Sequence, residues 1–212
     1  MSLSELWSLY GQNYIDALLA TWGMTLESFA IAMVLAVAVT VMRVSPLKPL
    51  RVFGDLYVQV FRNIPGIALL IIVVYALPPL KIVLPYRTCV IVATVLLGSA
   101  FGSENFMSGI NTVGVGQVEA ARSLGMSFSR ILAKIVIPQA LRSSVLPMTN
   151  LFIAVMLTTA LGSQVPLQPQ ELTGVVSYIN TRSLGGVAAF FISALGYLGT
   201  AFVVSHIGNY ID

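Results

Sequence analysis

The chain has 212 residues, of which 57% are apolar and only 9% charged, and its mean hydropathy is +0.91. A soluble globular domain carries about 25% charged residues, so a water-facing surface over most of this chain is excluded and lipid is its expected solvent. The formal net charge of +3 is ascribed to Lys and Arg on cytoplasmic loops rather than to a nucleic acid, which is not an expected partner.

At roughly 20 residues per span, a single transmembrane domain over 1–212 has room for about five spans. The N-terminus has no basic stretch, and Glu5 is its first charge, so it does not read as a cleavable signal. The first apolar run extends from about Ile15 to Met42, with its densest part from Phe29 to Val41. Glu27 lies within it and is expected near the external interface. The second run, Ile64 to Leu77, is short, and spans the membrane only if Leu56 to Phe61 continues the same helix. The third runs from Thr88 to Phe106, the fourth from Ala140 to Leu161 and the fifth from Val187 to Ile207. A backbone in lipid must satisfy its own hydrogen bonds, so all five are read as helices in an all-α integral membrane protein.

Between the runs lie a basic loop at 43–51 with Pro46 and Pro49, the pair Pro78-Pro79, a polar stretch from Gly109 to Lys134, and a loop from Gly162 to Gly186 ending in a Gly185-Gly186 break. Placing the 43–51 loop in the cytoplasm puts eight Lys and Arg on that side (Arg43, Lys48, Arg51, Arg62, Arg122, Arg130, Lys134, Arg142) against three outside (Lys81, Arg87, Arg182). This asymmetry orients the N-terminus outside and the C-terminus in the cytoplasm. No internal repeat is visible, and five spans make a thin wall, so two subunits are expected to enclose a pathway. Cys89 and His206 are each alone, which leaves no disulfide and no expected metal site.

The segment 111–136 stands out among the loops. Gln117 to Leu124 suits a short cytoplasmic helix between the third and fourth spans, and Gly125 is placed to end it in the left-handed conformation. Ser127 is a candidate cap for a second short helix. Glu119 and Arg122 suit the helix dipole and can reach each other. Ala120 and Ala121 are expected to leave a bare, closely approachable surface, and Pro138 suits the first turn of the next span. Such a pair reads either as a docking knob or as a capped loop.

Glu119-Ala120-Ala121, then Gly125, then Ile137-Pro138-Gln139-Ala140 resemble the cytoplasmic EAA signature of type I bacterial ABC importer permeases. The wording from Gly116-Gln117 through Arg122-Ser123-Leu124-Gly125 to Ala140-Leu141-Arg142 resembles the polar amino acid branch, as do Phe61-Arg62-x-x-Pro65, Glu104 with Ser108-Gly109-Ile110, and Pro147-x-x-Asn150. The resemblance covers roughly residues 55–165. It implies that Gln117, Glu119, Ala120, Ala121, Arg122, Leu124 and Gly125 couple to a separate ATPase subunit dimer, which binds ATP and Mg. This chain has no phosphate-binding loop, so it is expected to be a transporter subunit rather than an enzyme and to hold no cofactor. Further implied partners are a second permease subunit and an extracellular or periplasmic amino acid-binding protein, at the bacterial plasma membrane.

Intramembrane ionisable groups are expensive and by default functional. Glu104 could meet a substrate ammonium or pair with Arg62; with Asn150 and Thr158 these two form the candidate substrate-binding set. Two departures from the resembled branch bear on specificity: Thr158 stands where an acidic residue is usual, and Met107 where an Arg is usual. A cationic amino acid would lose its counter-charge, which favours glutamate or glutamine. The same departures suit a non-binding half of a heterodimer, a reading favoured over a homodimer. An ion-coupled secondary transporter is the competing class; it leaves the 111–136 segment unexplained. The Gln164, Gln168, Gln170 and Glu171 loop is expected to form part of the external gate and the docking face for the binding protein.

Overall fold

The five apolar runs become a bundle of helices in the computed structural model, which describes residues 2–182 and 186–211. Gly185 of the expected glycine break lies outside the described residues; Gly186 has φ +51 and opens the last helix. The helices are α1 (Leu3–Val44), α2 (Lys48–Asn63), α3 (Gly66–Ile71), α4 (Tyr86–Asn111), α5 (Val115–Ser123), α6 (Phe128–Ile131), α7 (Ile137–Ser143), α8 (Val145–Thr158), α9 (Leu172–Arg182) and α10 (Gly186–Ile211). No strand occurs among the described residues. Among the described residues, four segments are long and apolar enough to cross a membrane: α1, α4, α8 with its 3₁₀ extension to Gln164, and α10.

The fifth expected span is broken. α2 and the segment Gly66–Leu80 meet at a 103° bend, so Leu56 to Phe61 does not lengthen the second span. The break follows from Pro65, which forces Ile64 into an extended conformation and cannot donate to the α2 ladder. α2 is instead an amphipathic helix with Phe53 and Leu56 exposed.

α1 is the largest departure from expectation. It is one helix of 42 residues, about 63 Å long, and starts twelve residues before the expected run, at Leu3 rather than Ile15. A capping box of Ser2 and Glu5 sets its start. Gln12 and Asp16, which interrupt the apolar run, satisfy each other at 2.9 Å one turn apart. The opposite face carries Leu6, Tyr14 and Ala17 into a core with Leu172, Val175 and Ile179 of α9 and Ala189 of α10.

Two prolines sit in otherwise continuous helical runs, and each has a π-helical turn just before it. Ile72–Ala76 precedes Pro78, and Leu132–Val136 precedes Pro138. A wider turn moves the backbone away from the proline ring, which would otherwise clash with the carbonyl one turn back. α1 and α4 run parallel, since Glu27 meets Arg87 at one end and Arg43 meets Glu104 at the other. The interval from 27 to 43 corresponds to about 24 Å of helix, close to the thickness of a hydrocarbon core. Between these levels α1 and α4 touch through small residues: a Cβ on Gly98 would lie 3.3 Å from Ala32, and one on Gly102 2.9 Å from Ala36.

Candidate translocation site and coupling segment

Arg43 is the centre of the charged site. It closes α1, its side chain is only 12% exposed, and its guanidinium meets Asp55 of α2 at 2.9 Å, Glu104 of α4 at 3.1 Å and the Ser103 hydroxyl at 3.2 Å. Arg62, in the last turn of α2, reaches the same Glu104 oxygen at 3.4 Å and stacks over the Phe101 ring at 5.3 Å. Two guanidiniums and two carboxylates therefore tie three helices together with no net charge. Glu104 is thus paired with Arg62 in this structure. Arg43 and Asp55 were not among the residues singled out in the sequence, where Arg43 reads as the first cation of a loop. A faint signal was Gly54: a Cβ there would fall 2.8 Å from Arg43 Cγ, so only glycine lets α2 lie against that side chain.

Two cavities flank this network. The larger, of about 1020 Å³, lies between the Gly66 end of α3, α4 and α8; its polar lining includes Arg62, Thr94, Asn105, Asn150, Thr158 and Gln164. The smaller, of about 360 Å³, is lined by Arg43, Asp55, Gln59, Asn63 and Glu104, and shares Arg62 and Phe101 with the larger. Of the candidate substrate residues, Arg62, Asn150 and Thr158 thus share the larger cavity, whereas Glu104 faces the smaller one. The Thr158 hydroxyl donates to its own helix, to the Ala154 carbonyl at 2.7 Å. Asn105 braces the cavity floor by donating to the Pro147 carbonyl at 3.0 Å. Sequence reading missed Asn105 and Thr94; Thr94 is fully buried and its hydroxyl has no partner.

The 111–136 segment folds on a small core of its own. Val113, Ala121, Ile131 and Val136 are buried together, with Val118, Met126 and Leu132 around them. This corrects the expected bare surface: Ala120 is exposed, but Ala121 points inward. Gln117, Glu119, Arg122 and Leu124 are exposed, Leu124 at 82%. Glu119 and Arg122 do not form the ion pair their spacing allows, no such contact lying within 4 Å among the described residues. Gly125 has φ +74, the left-handed turn expected of it. Ser127 occupies the position before α6, but its side chain makes no capping bond. Gln139 of α7 donates its side-chain amide N–H to the Gln117 side-chain oxygen Oε1 at 2.7 Å and so ties α5 to the next span.

α7 is in turn pressed onto α4. Gly109 approaches it so closely that an added Cβ would sit 2.6 Å from the Ala140 carbonyl, and Ser144 donates to that carbonyl at 2.6 Å. Gly109→Val is expected to separate α7 from α4 and lower the apparent melting temperature of the purified protein by several degrees, an overpacking effect of about 1–3 kcal/mol. A thermal scan in detergent checks it.

On the opposite end, the expected polar loop at 162–186 contains α9, and Glu171 is fully buried rather than displayed. Its carboxylate accepts from the backbone N–H of Thr173 at 2.6 Å, that of Gly174 at 2.7 Å and the Tyr197 hydroxyl at 3.0 Å. The next N–H, of Leu172, donates to the Thr21 hydroxyl of α1 at 3.1 Å. Burial pushes the Glu171 carboxyl above its ordinary value of 4.5, opposed by these hydrogen bonds.

The sequence profile of the binding-protein-dependent transport system inner membrane components matches residues 28–212. The chain belongs to that family. Among relatives of this inner membrane component, the glutamate transport system permease protein GluC of Corynebacterium efficiens is 33% identical, the alignment covering 92% of this chain and 91% of that one. The L-cystine transport system permease protein TcyB of Bacillus subtilis is 32% identical over 89% of this chain and 81% of its own length. A probable glutamine ABC transporter permease, GlnM of the same organism, is 35% identical over 71% and 68%. A crystal structure of an amino acid ABC transporter with histidines superposes with a TM-score of 0.93 at 24% identity, covering 99% of this chain and 97% of that one. An inward-facing MetNI methionine transporter gives 0.74 at 20% identity. These two likenesses establish the multi-pass permease fold.

Proposed function

We propose that this inner membrane component forms one half of the channel of an ATP-driven importer for glutamate or glutamine. The observation that carries the reading is the charge pattern of the larger cavity. Its one ionisable lining group is Arg62, and the nearby Glu104 is turned to the smaller cavity and already paired with two guanidiniums. A substrate carboxylate finds a cation there. A lysine or arginine side chain finds no free carboxylate. The relatives named for glutamate and glutamine transport support the same choice.

In this reading Gln117, Glu119, Ala120, Arg122 and Leu124 present the outer face of α5 to a separate ATPase dimer. That dimer binds ATP and Mg. Ala121 and Gly125 shape the helix from beneath. Asn150 and Thr158 line the substrate path with Arg62. The N-terminus lies outside and the C-terminus in the cytoplasm, consistent with the eight-to-three distribution of Lys and Arg. A second permease subunit faces the open side of the cavity. We favour a heterodimer, because the Thr158 hydroxyl is held by its own helix. An amino acid-binding protein docks on the external end, beside α9.

The test is reconstitution of the chain, with the ATPase and permease subunits that co-purify with it, into liposomes holding ATP. The expected result is uptake of L-glutamate or L-glutamine that requires internal ATP and external binding protein, with L-arginine ineffective as a competitor. Uptake driven by an ion gradient without ATP would reject the proposal.

A further inference from the structure

The two cavities are separated by one wall, since Arg62 and Phe101 line both. The ways in which the two arginines of the network are held differ. Arg43 is nearly enclosed and has three acceptors, on α2 and α4. Arg62 is 39% exposed and rests on one carboxylate oxygen, at 3.4 Å, and on the face of Phe101. Glu104 also meets Arg43, at 3.1 Å, through the same oxygen. Moving Arg62 therefore leaves Glu104 paired with Arg43, whereas moving Arg43 would leave Asp55 without its ion-pair partner.

The backbone points the same way. Arg62 lies two residues before Ile64, at the 103° break between α2 and α3. Arg62 is in the last turn of α2, so its long side chain can leave Glu104 by a change of rotamer while the helix axis stays in place. Beyond the wall, the smaller cavity is lined mainly by polar and charged groups, with Gln59 and Asn63 beside the ion pairs. It offers hydrogen-bonding partners to an amino acid leaving the larger cavity.

We infer that Arg62 is the gate between the two cavities, drawn off Glu104 by the carboxylate of the passing amino acid. Glu104 then falls back on Arg43 alone, the wall opens, and the return of Arg62 to Glu104 closes it behind the substrate. Arg62 is thus exchanged between two carboxylates, one fixed and one travelling. This inference rests on the transport function proposed above and assigns the regulation of its site.

The experiment uses the reconstituted transporter, with L-glutamate and L-glutamine as probes, and compares wild type, Arg62→Ala, Arg62→Lys and Glu104→Gln. Arg62→Ala is expected to raise KM by at least about tenfold, the loss of one charge-assisted hydrogen bond. It should also allow release of preloaded substrate in the absence of ATP, which wild-type vesicles should not show. Arg62→Lys keeps the charge and should restore the closed state while leaving KM raised. Glu104→Gln frees Arg62 without removing it, so KM should fall together with kcat as substrate is held too long. Wild-type KM and no leak in Arg62→Ala would overturn the gate. So would failure of Arg62→Lys to assemble with the ATPase, because the residue would then be a structural brace. If the wild-type transporter imports neither probe with ATP, the function fails first; if it imports them and the Arg62 variants match it, only the gate fails.

Discussion

Arg43→Ala is expected to loosen α2 from α1 and α4 and so destabilise the membrane bundle. The substitution leaves Asp55 and Glu104 facing each other with Arg62 as the remaining nearby cation. Removing one partner of a buried ion pair costs about 3–5 kcal/mol. The two carboxylates here are 46% and 40% exposed, so water offsets part of this and about 2–3 kcal/mol is the better expectation. Arg43→Lys should recover less than half, because an ammonium cannot reach Asp55, Glu104 and Ser103 with one planar fork. Apparent melting temperatures in detergent, read by fluorescence-detected gel filtration, order the three proteins. A stable Arg43→Ala variant would show that α2 is held by apolar packing alone.

Glu171→Ala is expected to detach α9 from α1 and α10. Two backbone donors at the start of α9 and the Tyr197 hydroxyl lose their acceptor together. A lost cap costs about 1 kcal/mol, and the lost hydrogen bond from Tyr197, which keeps the Thr173 hydroxyl at 3.2 Å, about 1.5–3 kcal/mol. A total near 3 kcal/mol follows, with faster proteolysis within 162–182 as the direct readout. The ionisation of Glu171 adds a pH signature. Its carboxyl is raised in the folded protein, so the folded state binds this proton more tightly than the unfolded one. The stability it contributes is complete below its ordinary value of 4.5 and declines as pH rises through the raised value. Glu171→Gln should remove that slope while keeping much of the cap. A wild-type melting temperature that instead rises across this window would contradict the burial of the group.

Much of this architecture is written locally in the chain. The apolar runs, the left-handed Gly125 and the break after Asn63 each depend on a few adjacent residues; whether Leu56 to Phe61 continues the second run is open in the apolar pattern, and Pro65 decides it. What the sequence hides is contact between distant residues. Arg43 resembles any loop cation until Asp55 and Glu104 are folded beside it. Glu171 resembles any loop acid until Tyr197, 26 residues later, closes over it. Ala121 is indistinguishable from Ala120 by type, and only the packing of Val113, Ile131 and Val136 decides which of them faces inward. The length of α1 was obscured because Gln12 and Asp16 lower the hydropathy while satisfying one another on the helix surface.

The claim on which the account turns is that α5 is gripped by a separate nucleotide-hydrolysing subunit. Leu124→Cys places a thiol at a position 82% exposed, while the native Cys89 is buried and silent. With the complex assembled in native membranes, a short bifunctional thiol reagent is expected to link position 124 to the ATPase, more strongly as nucleotide is added. Labelling of the same thiol by a membrane-impermeant maleimide applied outside intact cells would place α5 on the wrong side of the membrane and contradict the account.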